Sequence, residues 1–266
     1  MTTPRHPSIQ DIDFGQLYRE HMAAVGRAKP PSVWDARADG IKPPSANDPY
    51  TQAFVQRMDL SGCEALLDVG CGAGNIALAA APLLRTVVGL DYSPRMLALF
   101  QQNAQAQGVP DARAILRSWT DDWADVPECD VVVASRSTAV MDMEQALGKL
   151  HDKARKRVYL SSLVGGRFSD VTLQAAVGRP VPPALPDYIY IVNILHAQGI
   201  QARVDFIAAG APRAVYRRFE DLLAQVQARE GEITEAEQAR LRDWFSAQAL
   251  AKPAPPASWA MVSWET

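Results

Sequence analysis

Apolar residues follow two alternating rhythms along this chain. Short β-rich runs recur at Ala65 to Val69, Thr86 to Leu90, Ala112 to Arg117, Asp130 to Ala134, Arg157 to Ser162, Ala202 to Ala208 and Trp259 to Trp264, which predicts seven strands. The segments between the first six carry helix signals. Ser93 before Pro94 is an N-cap followed by proline at the first helical position, and Gly108 lies where a left-handed residue would end that helix. Asp142 with Gln145 has the spacing of a capping box, ahead of Ala146, Leu147 and Leu150. Tyr188, Ile191, Val192 and Leu195 share one helical face, closed by Gly199. Strand and helix alternating in this way predict an α/β domain: a mostly parallel sheet with helices on both faces, binding ligands beyond the carboxyl ends of its strands.

Three regions fall outside the alternation. Residues 1–60 precede the first strand and read as an N-terminal helical cap. Leu163 to Pro186 is a Gly- and Pro-containing connection with the length of a lid, and Gly210 to about Pro256 is a helical insertion before the last strand. The insertion carries Phe219, Leu222, Leu223 and Val226, then a capping box at Thr234 and Glu237 before Leu241, Trp244 and Phe245. Proline clusters such as "RPVPPALP" and "KPAPPAS" mark irregular connections.

Composition narrows the class. With 266 residues and 48% hydrophobic content the chain can bury a full core, and residues 1–266 suit one domain with insertions. A formal charge of −3 and a pI near 5.8 argue against a broad nucleic-acid or anionic-membrane footprint. The basic run Lys153 to Arg157 reads as a solvated helix end. The chain contains neither a run of eighteen apolar residues nor an N-terminal hydrophobic signal core, so a cytoplasmic protein is expected. Cys63, Cys71 and Cys129 lack paired spacing, which suggests neither a disulfide framework nor a metal site.

The chemistry concentrates in "LLDVGCGAG", Leu66 to Gly74. A strand ending at Val69 enters a turn in which Gly70, Gly72 and Gly74 let backbone approach a ligand, and the helix beginning near Asn75 points its free N–H groups the same way. Gly72, Gly74 and Ala77 also fit the dinucleotide pattern G-x-G-x-x-A. Asp68 argues against a pyrophosphate there, because a fixed carboxylate suits an ammonium or sulfonium instead. Asp91 ends the second strand 21 residues after Gly70, where a carboxylate can accept both hydroxyls of a ribose. That feature alone does not separate NAD from another adenosine ligand.

"LLDVGCGAGNIALAAA" and "VVGLDYSPRMLALFQQNA" resemble the first two motifs of class I S-adenosylmethionine-dependent methyltransferases, especially the branch acting on small molecules and quinone precursors. The segment "VWDARAD", Val33 to Asp39, is similar to an N-terminal helix segment of that branch. The resemblance implies strand order 3-2-1-4-5-7-6 with the last strand, Ala257 to Thr266, antiparallel. It also implies S-adenosylmethionine as cofactor and S-adenosylhomocysteine as product. Carried over by position, Asp68 would lie near the methionine amino group, and Gly70, Cys71, Gly72 and Gly74 would line methionine and ribose. Asp91 would take the ribose hydroxyls and Tyr92 would cover an adenine face. After the third strand the family usually has an acid reading the adenine amino group; here Ser118 occupies that place and Trp119 follows, so Trp119 is assigned to the adenine environment.

The acceptor should sit at the end of the fourth strand, where the chain reads "VVVASRSTAVMDM". Neither N-P-P-Y nor D-P-P-Y is present there, which removes the main support for methylation of DNA adenine or glutamine. Ser135 falls beside the cofactor, and Arg136 is a poor base but a good fork for a carboxylate or phosphate. Arg167 and Arg179 lie in the lid-like connection, and Tyr188 enters from its end. These point to an anionic small molecule as acceptor, without naming a base among His21, His151 and His196. Other readings of the same residues are RNA or protein methylation, an NAD-dependent oxidoreductase, or a non-catalytic nucleoside-binding protein.

Overall fold

The computed structural model describes residues 8–25, 30–45, 47–167, 172–181, 183–208, 216–248 and 258–266. Parts of the lid-like connection (168–171, 182) and of the insertion (210–215, 249–256), with Ala257, lie outside the described residues. Strands β1 (Ala65–Val69), β2 (Thr86–Asp91), β3 (Arg113–Leu116), β4 (Cys129–Ala134), β5 (Ala154–Leu163), β6 (Arg203–Ala208) and β7 (Ser258–Glu265) form one sheet in the order β3-β2-β1-β4-β5-β7-β6. The first five run parallel, and β7 is antiparallel to both β5 and β6. This is the order that the resemblance implies.

Every residue of β4 is buried, as a strand covered on both faces requires. Val132 and Ala134 join the core on one face with Leu67, Val69 and Leu90, while Val131 and Val133 join Leu66 and Val87 on the other. The first face is covered by α1 (Phe14–Val25), α6 (Met143–Lys153) and α8 (Tyr188–Ala197) through Tyr18, Met22, Leu147, Leu150 and Leu195. Opposite lie α3 (Pro49–Arg57), α4 (Asn75–Ala80) and α5 (Pro94–Ala106), which contribute Tyr50, Phe54, Ile76, Ala77 and Phe100.

The helix starts follow their sequence signals. Ser93 Oγ accepts the Met96 N–H (3.1 Å) and Asp142 Oδ1 accepts the Gln145 N–H (3.0 Å). The basic run behaves otherwise. Lys153 ends α6, but Ala154 already pairs with Cys129 in β5, and Arg155 reaches across to the Asp130 carboxylate at 3.3 Å. The strand therefore starts inside the charged run, in place of the expected helix end.

A third cluster joins α7 (Thr172–Val177), α9 (Phe219–Glu230) and α10 (Glu235–Gln248). Leu173 and Val177 pack with Phe219, Leu222, Val226 and Leu241. Arg179 ties this unit together: its guanidinium donates to Glu237 (2.8 Å) and to the carbonyls of Glu230 (2.6 Å) and Glu232 (2.8 Å). Arg179 is thus committed to helix packing and does not serve an anion beside Arg136.

Candidate functional site

The turn after β1 hangs from the end of β2. The N–H groups of Gly70 and Cys71 both donate to the Leu90 carbonyl, at 2.7 and 3.1 Å. Its three glycines have positive φ, at 69°, 54° and 96°, and differ in what surrounds them. A Cβ on Gly70 would come within 2.3 Å of Ser137 Cβ, and one on Gly74 within 2.7 Å of the Phe100 ring. A Cβ on Gly72 would meet no protein atom within 4 Å. Gly70 and Gly74 are therefore demanded by packing, whereas Gly72 borders open space.

Two buried carboxyls, Asp68 and Asp91, stand on the strands that meet at this turn. Asp91 holds the turn with both oxygens, accepting the Gly72 N–H on Oδ2 and the Ser93 N–H on Oδ1, each at 2.9 Å. Burial raises its pKa and these backbone bonds oppose the rise. Asp68 is 2% exposed and accepts the Ala77 N–H at 3.2 Å, and no cationic side chain among the described residues pairs with it. Burial pushes its carboxyl up to about 7, with the Ala77 N–H lowering and Asp91 adding to the shift. The Cys71 thiol is buried and raised well above its ordinary value, so Cys71 contributes backbone to the turn and no nucleophile.

The β2 end of the turn is covered from the N-terminal side. Helix α2 (Pro31–Asp35) brings Trp34 into hydrogen-bonding contact with the Tyr92 hydroxyl, and Asp35 accepts the Ser93 Oγ–H at 2.6 Å. Past β3, the Ser118 N–H donates to Asp121 (2.7 Å) and the Trp119 ring tilts against Trp123, centroids 5.5 Å apart. The acid missing at Ser118 thus has a neighbour in Asp121, whose carboxylate serves the local turn.

At the end of β4, hydroxyls form a continuous chain. Tyr50 of α3 contacts Ser135 Oγ (2.9 Å) and Ser161 Oγ (2.7 Å), and Ser161 Oγ accepts the Arg136 N–H (2.9 Å). Ser137 Oγ donates to the Val69 carbonyl at 2.7 Å, linking this loop to the glycine turn. Arg136 has φ of 57°, the only positive value outside glycine among the described residues. Its guanidinium lies 4.2 Å above the Tyr50 ring centroid, a cation–π contact.

Arg136 lines a cleft walled by Tyr18, Met22, Leu163, Leu185 and Trp259. His21 clips the wall together. Its Nε2 lies 2.9 Å from the Ala184 carbonyl, which can only accept, and its Nδ1 lies 3.0 Å from the Tyr190 hydroxyl. Tyr188 does not line the cleft; its ring stands edge-on to Phe206, centroids 5.5 Å apart. His151 accepts the Trp264 indole N–H at 3.2 Å, a packing role. Tyr18, Tyr50, Ser161 and Trp259 enter the site without having been picked out in the sequence. For Tyr50 a signal exists: Asp48 before Pro49 has the same cap-and-proline form as Ser93 before Pro94, and Asp48 indeed caps α3.

These features fit a ligand with a cationic amino-acid end and a ribose. Asp68 is a buried carboxyl without a cationic partner among the described residues, and Asp91, at the end of β2, holds the turn at Gly72, whose Cβ side is open. Residues 66–157 match the family model described as a methyltransferase domain. The chain is 38% identical over 266 residues to an uncharacterized protein of Haemophilus influenzae, covering 97% of this chain and 98% of that one. It is also 31% identical over 122 residues to a ribosomal protein L11 methyltransferase of Vibrio vulnificus, a match that spans 44% of this chain and 39% of that protein. The fold is similar to that of magnesium protoporphyrin IX methyltransferase from Synechocystis PCC 6803 with bound S-adenosylhomocysteine, with a TM-score of 0.55 at 14% identity over 96% of this chain and all of that one. Residues 66–157, which hold the glycine turn and both buried carboxylates, are thus a methyltransferase domain, and the strand order of the whole sheet is that of the S-adenosylmethionine-dependent methyltransferase fold.

Proposed function

We propose that this methyltransferase acts on a small molecule with an apolar body and an anionic group, and that Arg136 grips the anion. One observation carries the reading: an arginine held in a left-handed backbone conformation at the cleft, with no acidic partner among the described residues. Such a conformation costs about 1–3 kcal/mol and persists only where its surroundings impose it. Here Ser161 fixes the backbone and Tyr50 fixes the guanidinium plane. The guanidinium fork then remains for a planar carboxylate or a phosphate oxygen pair.

Around it the cleft is mostly apolar, and its lining side chains include neither a carboxylate nor an imidazole. The lining residues therefore orient the acceptor and exclude water rather than withdraw a proton. When bound, S-adenosylmethionine supplies a methyl group already activated on a sulfonium. In this reading Asp68 holds its ammonium and Asp91 its ribose, with Gly70, Cys71, Gly72 and Gly74 beneath. Tyr92, Ser118 and Trp119 surround the adenine, and Ser135 lies between cofactor and acceptor.

The test is transfer of a labelled methyl group from S-adenosylmethionine into a metabolite extract, with labelled products separated by anion exchange and by polarity. Label in a small anionic product with a substantial apolar part supports the reading. Label recovered only in neutral products, protein or RNA overturns it.

A further inference from the structure

Arg136 is exposed, yet every residue of the loop 135–138 that carries it is pinned by a separate bond. Ser135 Oγ meets the Tyr50 phenol (2.9 Å) and the Arg136 N–H donates to Ser161 Oγ (2.9 Å). Ser137 Oγ donates to the Val69 carbonyl (2.7 Å), and Thr138 Oγ1 to the Ser161 carbonyl (3.0 Å). Tyr50 takes part twice, through its phenol and through the ring whose centroid lies 4.2 Å from the guanidinium carbon.

The hydrogens of this chain have one arrangement. Ser161 is wholly buried and its Oγ already accepts the Arg136 N–H, so among the described residues its own hydrogen has one acceptor, the Tyr50 oxygen at 2.7 Å. The Tyr50 hydrogen then goes to Ser135 Oγ. Burial raises the pKa of the phenol, which keeps the proton it donates. Accepting from one serine and donating to another holds the ring in one plane. Ring contacts with Trp259 and Phe54, at 5.8 and 6.1 Å between centroids, brace it from the sides.

An exposed arginine has many rotamers, and a bound anion must offset the entropy lost in ordering one of them. Tyr50 restricts those rotamers before any ligand arrives. Ser161 sets the backbone, the ring sets the guanidinium, and the bond between Ser161 and Tyr50 makes the two a single unit. We propose that Tyr50 is a positioning residue for acceptor binding, its ring and its phenol together holding Arg136 ready for the anion. This rests on the reading of Arg136 given above.

The experiment measures relative kcat/KM for methyl transfer at saturating S-adenosylmethionine, with the anionic fraction of a metabolite extract as acceptor. It compares wild type, Tyr50→Phe, Tyr50→Leu, Arg136→Met and the two double variants. Calorimetry with S-adenosylhomocysteine and the NMR resonance of the Arg136 Nε–H accompany it. Tyr50→Leu should lower kcat/KM roughly 3- to 30-fold, the range for a cation–π contact, with the loss in KM. Tyr50→Phe keeps the ring and should lose less. In the Arg136→Met background neither change should lower kcat/KM further, a result that a merely structural role would not give. Ring current should displace the Arg136 Nε–H upfield in wild type and Tyr50→Phe, and not in Tyr50→Leu. Affinity for S-adenosylhomocysteine should match wild type in every variant. Losses that add in the double variants, an undisplaced resonance in wild type, or cofactor affinity that falls along with kcat/KM would each overturn the proposal. Full activity in Tyr50→Leu beside an impaired Arg136→Met would overturn it and leave the acceptor reading standing, whereas full activity in Arg136→Met would overturn both. Should Tyr50→Leu not fold, Tyr50→Phe and its double variant carry the same comparison.

Discussion

The glycine turn and the Arg136 cleft are built by different means. On the side of β1 and β2 the surface is mainly backbone, a three-glycine turn suspended from the Leu90 carbonyl and braced by both oxygens of Asp91. Few side chains intrude, and those that matter are two buried carboxylates. On the side of β4 and β5 the surface is side chain throughout: Tyr50, Ser135, Ser161 and Arg136 from three separate elements, with walls from α1, the 184–186 strap and β7. A backbone site presents the same groups whatever the neighbouring side chains are, which suits a ligand common to many enzymes. A side-chain site can be rebuilt one residue at a time, which suits an acceptor that differs between them.

The largest expected effect separates packing from ligand space inside the turn itself. Gly72→Val should abolish measurable binding of S-adenosylhomocysteine while the protein stays folded, because its branches would enter space that no protein atom occupies. Gly74→Val, two residues on, should do the reverse and lower the melting temperature strongly, since its Cβ would collide with Phe100 and Leu78. Calorimetry beside thermal melting distinguishes the two. A Gly72→Val protein that binds normally would mean that the ligand lies elsewhere.

The next two effects are of similar size, one at the glycine turn and one at the Arg136 cleft. Asp91→Ala should weaken S-adenosylhomocysteine binding by about 1.5 to 3 kcal/mol, for lost charge-assisted hydrogen bonds. Arg136→Met should leave that affinity nearly untouched and reduce methyl transfer to an identified anionic acceptor by roughly 10- to 200-fold, with lysine rescuing only part. A turnover loss in Arg136→Met that is matched by lost cofactor affinity would erase the distinction between the two sides.

That distinction also explains what could be read without coordinates. The glycine turn, Asp68 and Asp91 lie on consecutive elements, and their roles follow from local spacing. Most strand limits fall within a residue or two of their apolar runs. The exception is β5, whose first residues are charged and join the sheet through Cys129 and Asp130. The Arg136 cleft depends on contacts between residues 85 apart (Tyr50 and Ser135), 122 apart (Tyr18 and Val140) and 169 apart (His21 and Tyr190). No periodicity reaches that far. The left-handed backbone of Arg136 has no signature in an arginine, and Arg179 reads as an anion ligand in the sequence although its guanidinium is held by Glu237 and the Glu230 carbonyl.

The smallest effect concerns how the two sides treat protons, and it follows from Asp68. The unfolded chain ionises this carboxyl near 4, the folded one at about 7, chiefly because burial opposes the charge. Between those values the folded state holds the proton that the unfolded state has lost. Asp68 therefore costs no stability below pH 4, and its penalty grows with rising pH until it is complete above 7. A ligand ammonium placed beside the carboxylate reverses the preference. Affinity for S-adenosylhomocysteine should then be steady above pH 7 and fall below it, approaching tenfold per unit, because the site must first release its proton. Asp68→Asn should bind more weakly, show no such slope, and raise the melting temperature of the free protein at pH 8 but not at pH 4. The cleft at Arg136 has no carboxylate or imidazole in its lining, so Arg136→Met should reproduce the wild-type slope in calorimetry. A flat wild-type profile, or the same slope in Asp68→Asn, would mean that Asp68 does not face the ligand's ammonium.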